Sequence, residues 1–204
     1  MGSTRFLLGL LIFLVSTAWS ENLAPLTYVS PLPTGQYAVS RRCFGPQGYS
    51  LFGRSNHHGI DLNRTRYGTR VQSIAEGRVI HAGFNRGYGY FVVVQHRNGL
   101  LSGYSHLSTI TVRKGDELSR GQQVGNVGST GYSTGPHLYL ELRRGFAHDY
   151  QSFLRQPAID PMTPTLPLAH QMVANSKDRV DHCATGISAH LRSNPQQPRV
   201  SGVR

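Results

Sequence analysis

Between Arg70 and His106 the chain reads as four short β runs, Arg70–Ile74, Gly77–Phe84, Tyr90–His96 and Leu100–His106. They are separated by Glu76-Gly77, Asn85-Arg86-Gly87-Tyr88-Gly89 and Arg97-Asn98-Gly99. That spacing leaves room for little except an antiparallel sheet. Asn98-Gly99 between two apolar runs is a strong short-range hairpin signal, because both residues tolerate positive φ. Val92-Val93-Val94 is continuous and β-branched, the pattern of a strand buried on both faces. Lys114-Gly115-Asp116 and Arg120-Gly121-Gln122 mark further tight turns in the stretch from Val112 to Val127. No amphipathic helix of useful length precedes residue 145, so the fold class is mainly β, with closely spaced antiparallel strands.

A second stretch carries chemistry: Ser129 to Glu141, S-T-G-Y-S-T-G-P-H-L-Y-L-E. Gly131, Gly135 and Pro136 are turn residues at the mouth of a loop. The alternation from His137 to Glu141 places His137 and Tyr139 on one strand face and Leu138 and Leu140 on the other. Two further segments bring polar groups to strand ends. In Asn56-His57-His58-Gly59-Ile60-Asp61, an extended strand would separate His57 from Asp61 by roughly 13 Å, and a bend at Gly59 closes that gap. Tyr104-Ser105-His106-Leu107 ends another run. Separate segments converging on His and Asp at strand ends are the pattern of a metal site built on a sheet. The glycines of Gly125-x-x-Gly128-x-x-Gly131 do not make a phosphate loop, since no Gly-Lys-Ser/Thr ending follows and no helix opens there.

In the order in which they occur, these segments resemble the lysostaphin-type (LytM-domain) zinc metalloendopeptidases, which cut peptidoglycan cross-links. The family pattern is H-x-x-x-D, then Y-x-H-L, then G-x-S-T-G-x-S-T-G-P-H-L-H. This chain has His57 to Asp61, Tyr104-Ser105-His106-Leu107 and Gly128 to Tyr139. The resemblance runs from about Gly53 to Arg143 and implies a compact, barrel-like antiparallel domain with an open groove. It further implies Zn2+ as cofactor, His57 and Asp61 as metal ligands, and His106 and His137 as catalytic residues around the attacking water and the developing oxyanion. Tyr139 departs from the pattern, standing where the family has its third ligand, the second His of H-x-H. A phenol has an ordinary pKa of about 10 and must lose its proton to bind as phenolate. Against that, a cation can drive the loss, and an anionic oxygen is a good zinc donor. Two functions follow: a zinc-dependent endopeptidase acting on peptidoglycan peptide stems, or a catalytically degenerate module that binds peptidoglycan or regulates other wall hydrolases. Among the remaining histidines, His58 is expected at the surface, with a substitute metal ligand as the alternative, and His96, at the end of the valine run, in the core.

The ends of the chain are of a different character. Arg5, the apolar run Phe6 to Val15 and Ala18-Trp19-Ser20 have the layout of a secretory signal with cleavage after Ser20. Its apolar core of about ten residues is short of the roughly twenty that span a bilayer, so no membrane span is expected after cleavage. Removing 20 of 204 residues leaves 184, enough for one domain and its tails. The formal net charge of +11 becomes +10 without Arg5, a balance that attracts polyanions. In an exported protein the polyanion is the bacterial envelope rather than nucleic acid, and the expected location is the periplasm or the exterior. Other cell-wall enzymes or an envelope assembly are the protein partners that fit. Two cysteines, Cys43 and Cys183, flank the site segments, and an even count in an exported chain reads as a disulfide. Closing that loop would contribute about 4–5 kcal/mol in the chain-entropy model.

The expected organisation is therefore a signal peptide over 1–20 and an extended arm and lead-in over 21–52. The peptidase-type domain covers 53–161, ending at Ile159-Asp160-Pro161, and a partly disordered tail covers 162–204 with a short helix from Leu168 to Asn175. Mass spectrometry of exported material is expected to show Glu21 as the first residue; full-length protein held in the cytoplasm would contradict the signal reading.

Overall fold

A computed structural model describes residues 26–39, 44–50, 53–163 and 165–176. Cys43 and Cys183 lie outside the described residues, as does the signal segment. The strands are β1 (Ala38–Val39), β2 (Gly45–Ser50), β3 (Gly53–His57), β4 (Gly59–Asn63), β5 (Arg70–Gln72), β6 (Gly77–Asn85), β7 (Gly89–Gln95), β8 (Leu100–Ile110), β9 (Glu117–Leu118), β10 (Gln123–Val127), β11 (Leu138–Arg144) and β12 (Ala158–Ile159). Helix α1 spans Tyr150–Arg155 and α2 spans Pro167–Asn175.

Ten strands form one antiparallel sheet in the order β1-β4-β11-β8-β7-β6-β9, with β10 linking β8 to β5 and β12 flanking β11. β2 and β3 pair separately. The expected antiparallel class holds, and the sheet is open rather than closed into a barrel. As the valine run predicts, Val92, Val93 and Val94 are buried whichever way they face. Gly99 turns the β7–β8 hairpin at φ +69°.

The sheet has two chemically different faces. Ile60, Leu62, Val92, Val94, Tyr104, Leu107, Leu138, Leu140 and Leu142 join the main core. That core is completed by the N-terminal arm and by α2. Tyr37 of the arm is buried, and its hydroxyl donates to the Met172 carbonyl at 2.9 Å. Leu168, Ala169 and Met172 pack against the same core, so the helix expected at Leu168–Asn175 anchors to the arm. The opposite face holds a smaller cluster of Ile80, Phe91, Val93, Leu101 and Phe153 under α1. Asp149 caps α1 in a reciprocal box with Ser152. Arg143 on β11 secures α1 by donating to the Leu154 and Gln156 carbonyls and by lying 5.1 Å above the Phe153 ring. The part of this face that α1 leaves uncovered is the cleft described below.

His96 is a core residue, fully buried, with Nδ1 2.6 Å from the Glu76 carbonyl and Nε2 2.8 Å from Ser102 Oγ. Burial pushes its pKa down to about 4, against the pull of that carbonyl and of Glu76. The folded value lies below the unfolded value of about 6.5, so its contribution is complete above pH 6.5 and is lost as pH falls through 4. Urea unfolding is expected to show a loss of about 2–3 kcal/mol from this group between pH 7.5 and 4.5. In His96→Gln the protein should be less stable at pH 7.5 but its acid sensitivity should be reduced by that amount; an unchanged pH slope would contradict the assignment.

Candidate active site

The central row of the cleft is set by register. Tyr139 on β11 pairs with Asp61 on β4 and with Ser105 on β8. Directly paired residues project from the same face, so these three side chains stand in a line across the sheet. His137 lies two residues before Tyr139 and shares that face, as its alternation with the buried Leu138 and Leu140 requires. His57 arrives from the separate β2–β3 pair, where the chain breaks between the end of β3 and Gly59 at the start of β4. The bend brings His57 Nε2 to 3.4 Å from Asp61 Oδ1. His58, beside it, is exposed.

His106 reaches the cleft by a different device. Tyr90 pairs with Leu107 but Val92 pairs with Tyr104, so two residues of β8, Ser105 and His106, oppose the single Phe91 of β7. This β-bulge resets the side-chain alternation: Tyr104 and Leu107 both enter the core, and Ser105 and His106 are both released to the other face. His106 takes φ +62°, left-handed for a residue with a Cβ, at a cost of order 1 kcal/mol. Its amide donates to the Tyr88 carbonyl and its Nδ1 lies 2.8 Å from the Thr130 carbonyl. The His106 and His137 ring centroids are 4.7 Å apart.

A carbonyl oxygen only accepts, so the contact to Thr130 puts the proton of neutral His106 on Nδ1 and leaves Nε2 as a lone pair. His137 is arranged likewise, with Nδ1 2.9 Å from the Gly135 carbonyl and Nε2 3.7 Å from Asp61 Oδ1. Burial, and then the neighbouring His137, press His106 down to about 4, so it is neutral at pH 7. Burial on its own would raise the Asp61 carboxyl. The hydrogen bond and charge of His57, with His137 and His106 beyond, outweigh it and hold Asp61 below the ordinary carboxylate range.

The donor set fits a small divalent cation in two places. Donors at about 2.0–2.2 Å from a tetrahedral ion are separated by roughly 3.3–3.6 Å, and the 3.4 Å between His57 Nε2 and Asp61 Oδ1 matches that edge. The third place is less favourable. Tyr139 is buried, its ring 5.2 Å from that of His57. Burial, then Glu141, Tyr88 and Asp61, raise its phenol well above 10. It can serve only as a phenolate that a cation has drawn out. Among the described residues, no group of three or more His, Cys, Asp or Glu side chains is placed to hold a metal ion. His57 Nδ1 is buried without a hydrogen-bond partner, whereas a ligating imidazole usually has one on its second nitrogen.

All five positions singled out in the sequence, His57, Asp61, His106, His137 and Tyr139, thus line one cleft. Sequence reasoning missed Tyr88 and Thr130, which hold His106, and the buried Glu141–Arg143 ion pair beneath Tyr139. The signal for the first two was Gly89 and Gly131, which approach so closely that a Cβ on Gly131 would sit 2.3 Å from the Gly89 nitrogen.

The chain is similar to a protein named as a peptidoglycan endopeptidase and shares the fold of solved peptidase domains. The chain is 43% identical over 86 residues to the peptidoglycan DD-endopeptidase ShyA of Vibrio cholerae, covering 42% of this chain and 20% of that protein. It is 44% identical over 97 residues to the murein hydrolase activator EnvC of Escherichia coli, covering 48% and 23%. The matches thus span only about a fifth to a quarter of these curated relatives. Among solved structures, the catalytic domain of the antimicrobial peptidase lysostaphin from Staphylococcus simulans superposes with a TM-score of 0.52 at 32% identity, over 62% of this chain and 90% of that domain. A zinc-containing peptidase from Vibrio cholerae gives 0.55 at 28% identity, over 70% and 41%. The model of peptidase family M23 matches residues 55–157, and the chain belongs to that family.

Zinc binding to the purified protein tests the donor set. Tyr139→Phe, which removes only the oxygen, is expected to weaken affinity by roughly 10–100-fold, and Tyr139→His to strengthen it by a similar factor. Undiminished affinity in Tyr139→Phe would remove Tyr139 from the set.

Proposed function

We propose that the protein is a peptidoglycan endopeptidase, dependent on zinc, that hydrolyses the peptide cross-links of the bacterial cell wall. The observation that carries this reading is the convergence of His57, Asp61, His106 and His137 on one open cleft, in a member of a peptidase family. His57, Asp61 and Tyr139 as phenolate would hold the ion. Bound there, it supplies a water of lowered pKa and polarises the scissile carbonyl. The protein's own part is to move protons and to position the substrate. Both histidines are fixed through Nδ1, and His106 presents an Nε2 lone pair to the cleft. His137, with Nε2 toward the ionised Asp61, takes the proton of the attacking water; as imidazolium it is stabilised by that carboxylate. His106, resting with Nε2 as a lone pair, takes up the second proton of the attacking water and as imidazolium steadies the tetrahedral oxyanion before passing that proton to the departing amine. The substrate runs between the His57 segment and the loop Thr130 to Pro136.

The basic balance of the chain favours retention on an anionic wall. Among the described residues no helix is long and apolar enough to cross a membrane. With the signal-like N-terminus, the place of action we infer is the periplasm or the cell exterior.

Tyr139 supports a second reading. With a neutral phenol at the third position, the same cleft would bind peptide stems without cutting them. The protein would then act on other wall enzymes or within an envelope assembly, as the name of the related EnvC, a hydrolase activator, illustrates.

Digestion of purified sacculi separates the two. The mature protein with zinc is expected to release soluble fragments, and His106→Ala or His137→Ala to lose about 10²–10⁴ of the rate while still binding sacculi. Binding without release by the wild type would favour the second reading.

A further inference from the structure

The bulge that delivers His106 does not hold itself in place; the contacts around it meet at one residue, Thr130. Thr130 lies in the loop between β10 and β11. Its hydroxyl donates to the Leu107 carbonyl at 2.7 Å and accepts from the Tyr90 amide at 3.0 Å. One side-chain oxygen thereby ties the loop to β8, just after the bulge, and to β7, just after the β6–β7 turn. The same turn supplies the Tyr88 carbonyl that accepts the His106 amide, and the Gly87 carbonyl that accepts the Tyr132 amide. Thr130 packs so closely on Gly89 that a Cβ there would lie 2.3 Å from its Oγ1 and 2.4 Å from its carbonyl oxygen. That carbonyl is the one facing His106 Nδ1.

We propose that Thr130 is a positioning residue for His106: its hydroxyl fixes the loop so that its own carbonyl selects the Nδ1–H tautomer, leaving Nε2 as the free nitrogen in the cleft. The inference rests on the reading of His106 as a group that acts on the reacting atoms. An unconstrained neutral histidine side chain prefers its proton on Nε2, so a loosened loop lets His106 drift to the form whose lone pair points away from the cleft. Serine at this position keeps both hydroxyl contacts. Valine keeps the branched shape and loses both.

The experiment is a long-range proton–nitrogen spectrum of the imidazoles in the mature protein, with His106 identified by its loss in His106→Gln. Wild type and Thr130→Ser are expected to show the Nδ1–H pattern for His106, and Thr130→Val a shift toward Nε2–H. On sacculi, kcat of Thr130→Val should fall about 10–100-fold with KM little changed, and Thr130→Ser should recover most of it. An Nε2–H tautomer in the wild type would overturn the proposal without any variant having to fold. So would an unaltered Nδ1–H pattern in Thr130→Val, or a Thr130→Ser protein that behaves like the valine variant. A wild type that shows the expected tautomer pattern yet digests nothing would sink the hydrolase reading while supporting the positioning, so the two fail separately.

Discussion

The pairing of β11 between β4 and β8 is the constraint on which the cleft depends. It puts Asp61, Tyr139 and Ser105 in one row, and it does so because Leu138, Leu140 and Leu142 fill the main core on the other side. A slip of one residue would exchange the two sets, since strand side chains alternate with period two. Burying three leucines is worth about 1.5–3 kcal/mol apiece, more than any contact in the cleft supplies. The register is therefore held by the core, and the polar row is carried along with it. The cleft face can therefore depart from the family pattern, as it does at Tyr139, without a change of register.

The other groups reach that row by breaking regular structure in two different ways. His57 comes from outside the large sheet, by the break between β3 and β4. His106 comes from within it, by a bulge and a left-handed backbone. A regular β8 would have buried His106 beside Tyr104 and left the cleft without it. At the His106 bulge the loop carrying Thr130 and the β6–β7 turn are fastened against the irregular backbone.

The sequence made legible whatever follows from periodicity and turn chemistry. The four β runs, the Asn98-Gly99 turn, the two faces of β11 and the helix at Leu168–Asn175 are visible in local patterns, because each depends on near neighbours. The arm from Leu26 to Val39 was not legible as a packed element, since its anchors, Tyr37 to Met172 and Val29 to Ile74, join residues far apart in sequence. Helix α1 is only six residues, too short for an amphipathic period, and its one signal was the Asp149 and Ser152 capping pair. The identities of the cleft residues came from motifs, but the manner of delivery of His106 did not. An extra residue in a strand changes no composition and leaves no periodic trace. The Glu141–Arg143 pair was hidden for a related reason: alternation says that both share the face of Tyr139, and only the packing of α1 shows that this part of the face is buried.

That burial bears directly on Tyr139. Its ring leans over Gly59, where a Cβ would come within 2.9 Å of Cε2 and still closer to the Leu140 carbonyl. Glycine at 59 is required first by the backbone of Leu140, whatever side chain stands at 139, and the phenol ring occupies the room beside it. The ring is sunk toward Glu141, which pairs with Gly59 on one side and Gly103 on the other. There, low polarity and a nearby carboxylate keep its proton on. With a pKa above 10, ionising it at pH 7 costs at least about 4 kcal/mol. Structural zinc sites release about 10–16 kcal/mol at that pH, so the cost is within reach of a cation that gains a third donor. It is nonetheless subtracted from the affinity, and it shrinks tenfold in equilibrium terms for each unit by which pH rises toward the phenol's own value. Histidine at the same position carries no such charge on its binding. For an ion held at His57 and Asp61, the penalty at the third position would therefore come first from the burial of the phenol and second from the carboxylate of Glu141 behind it.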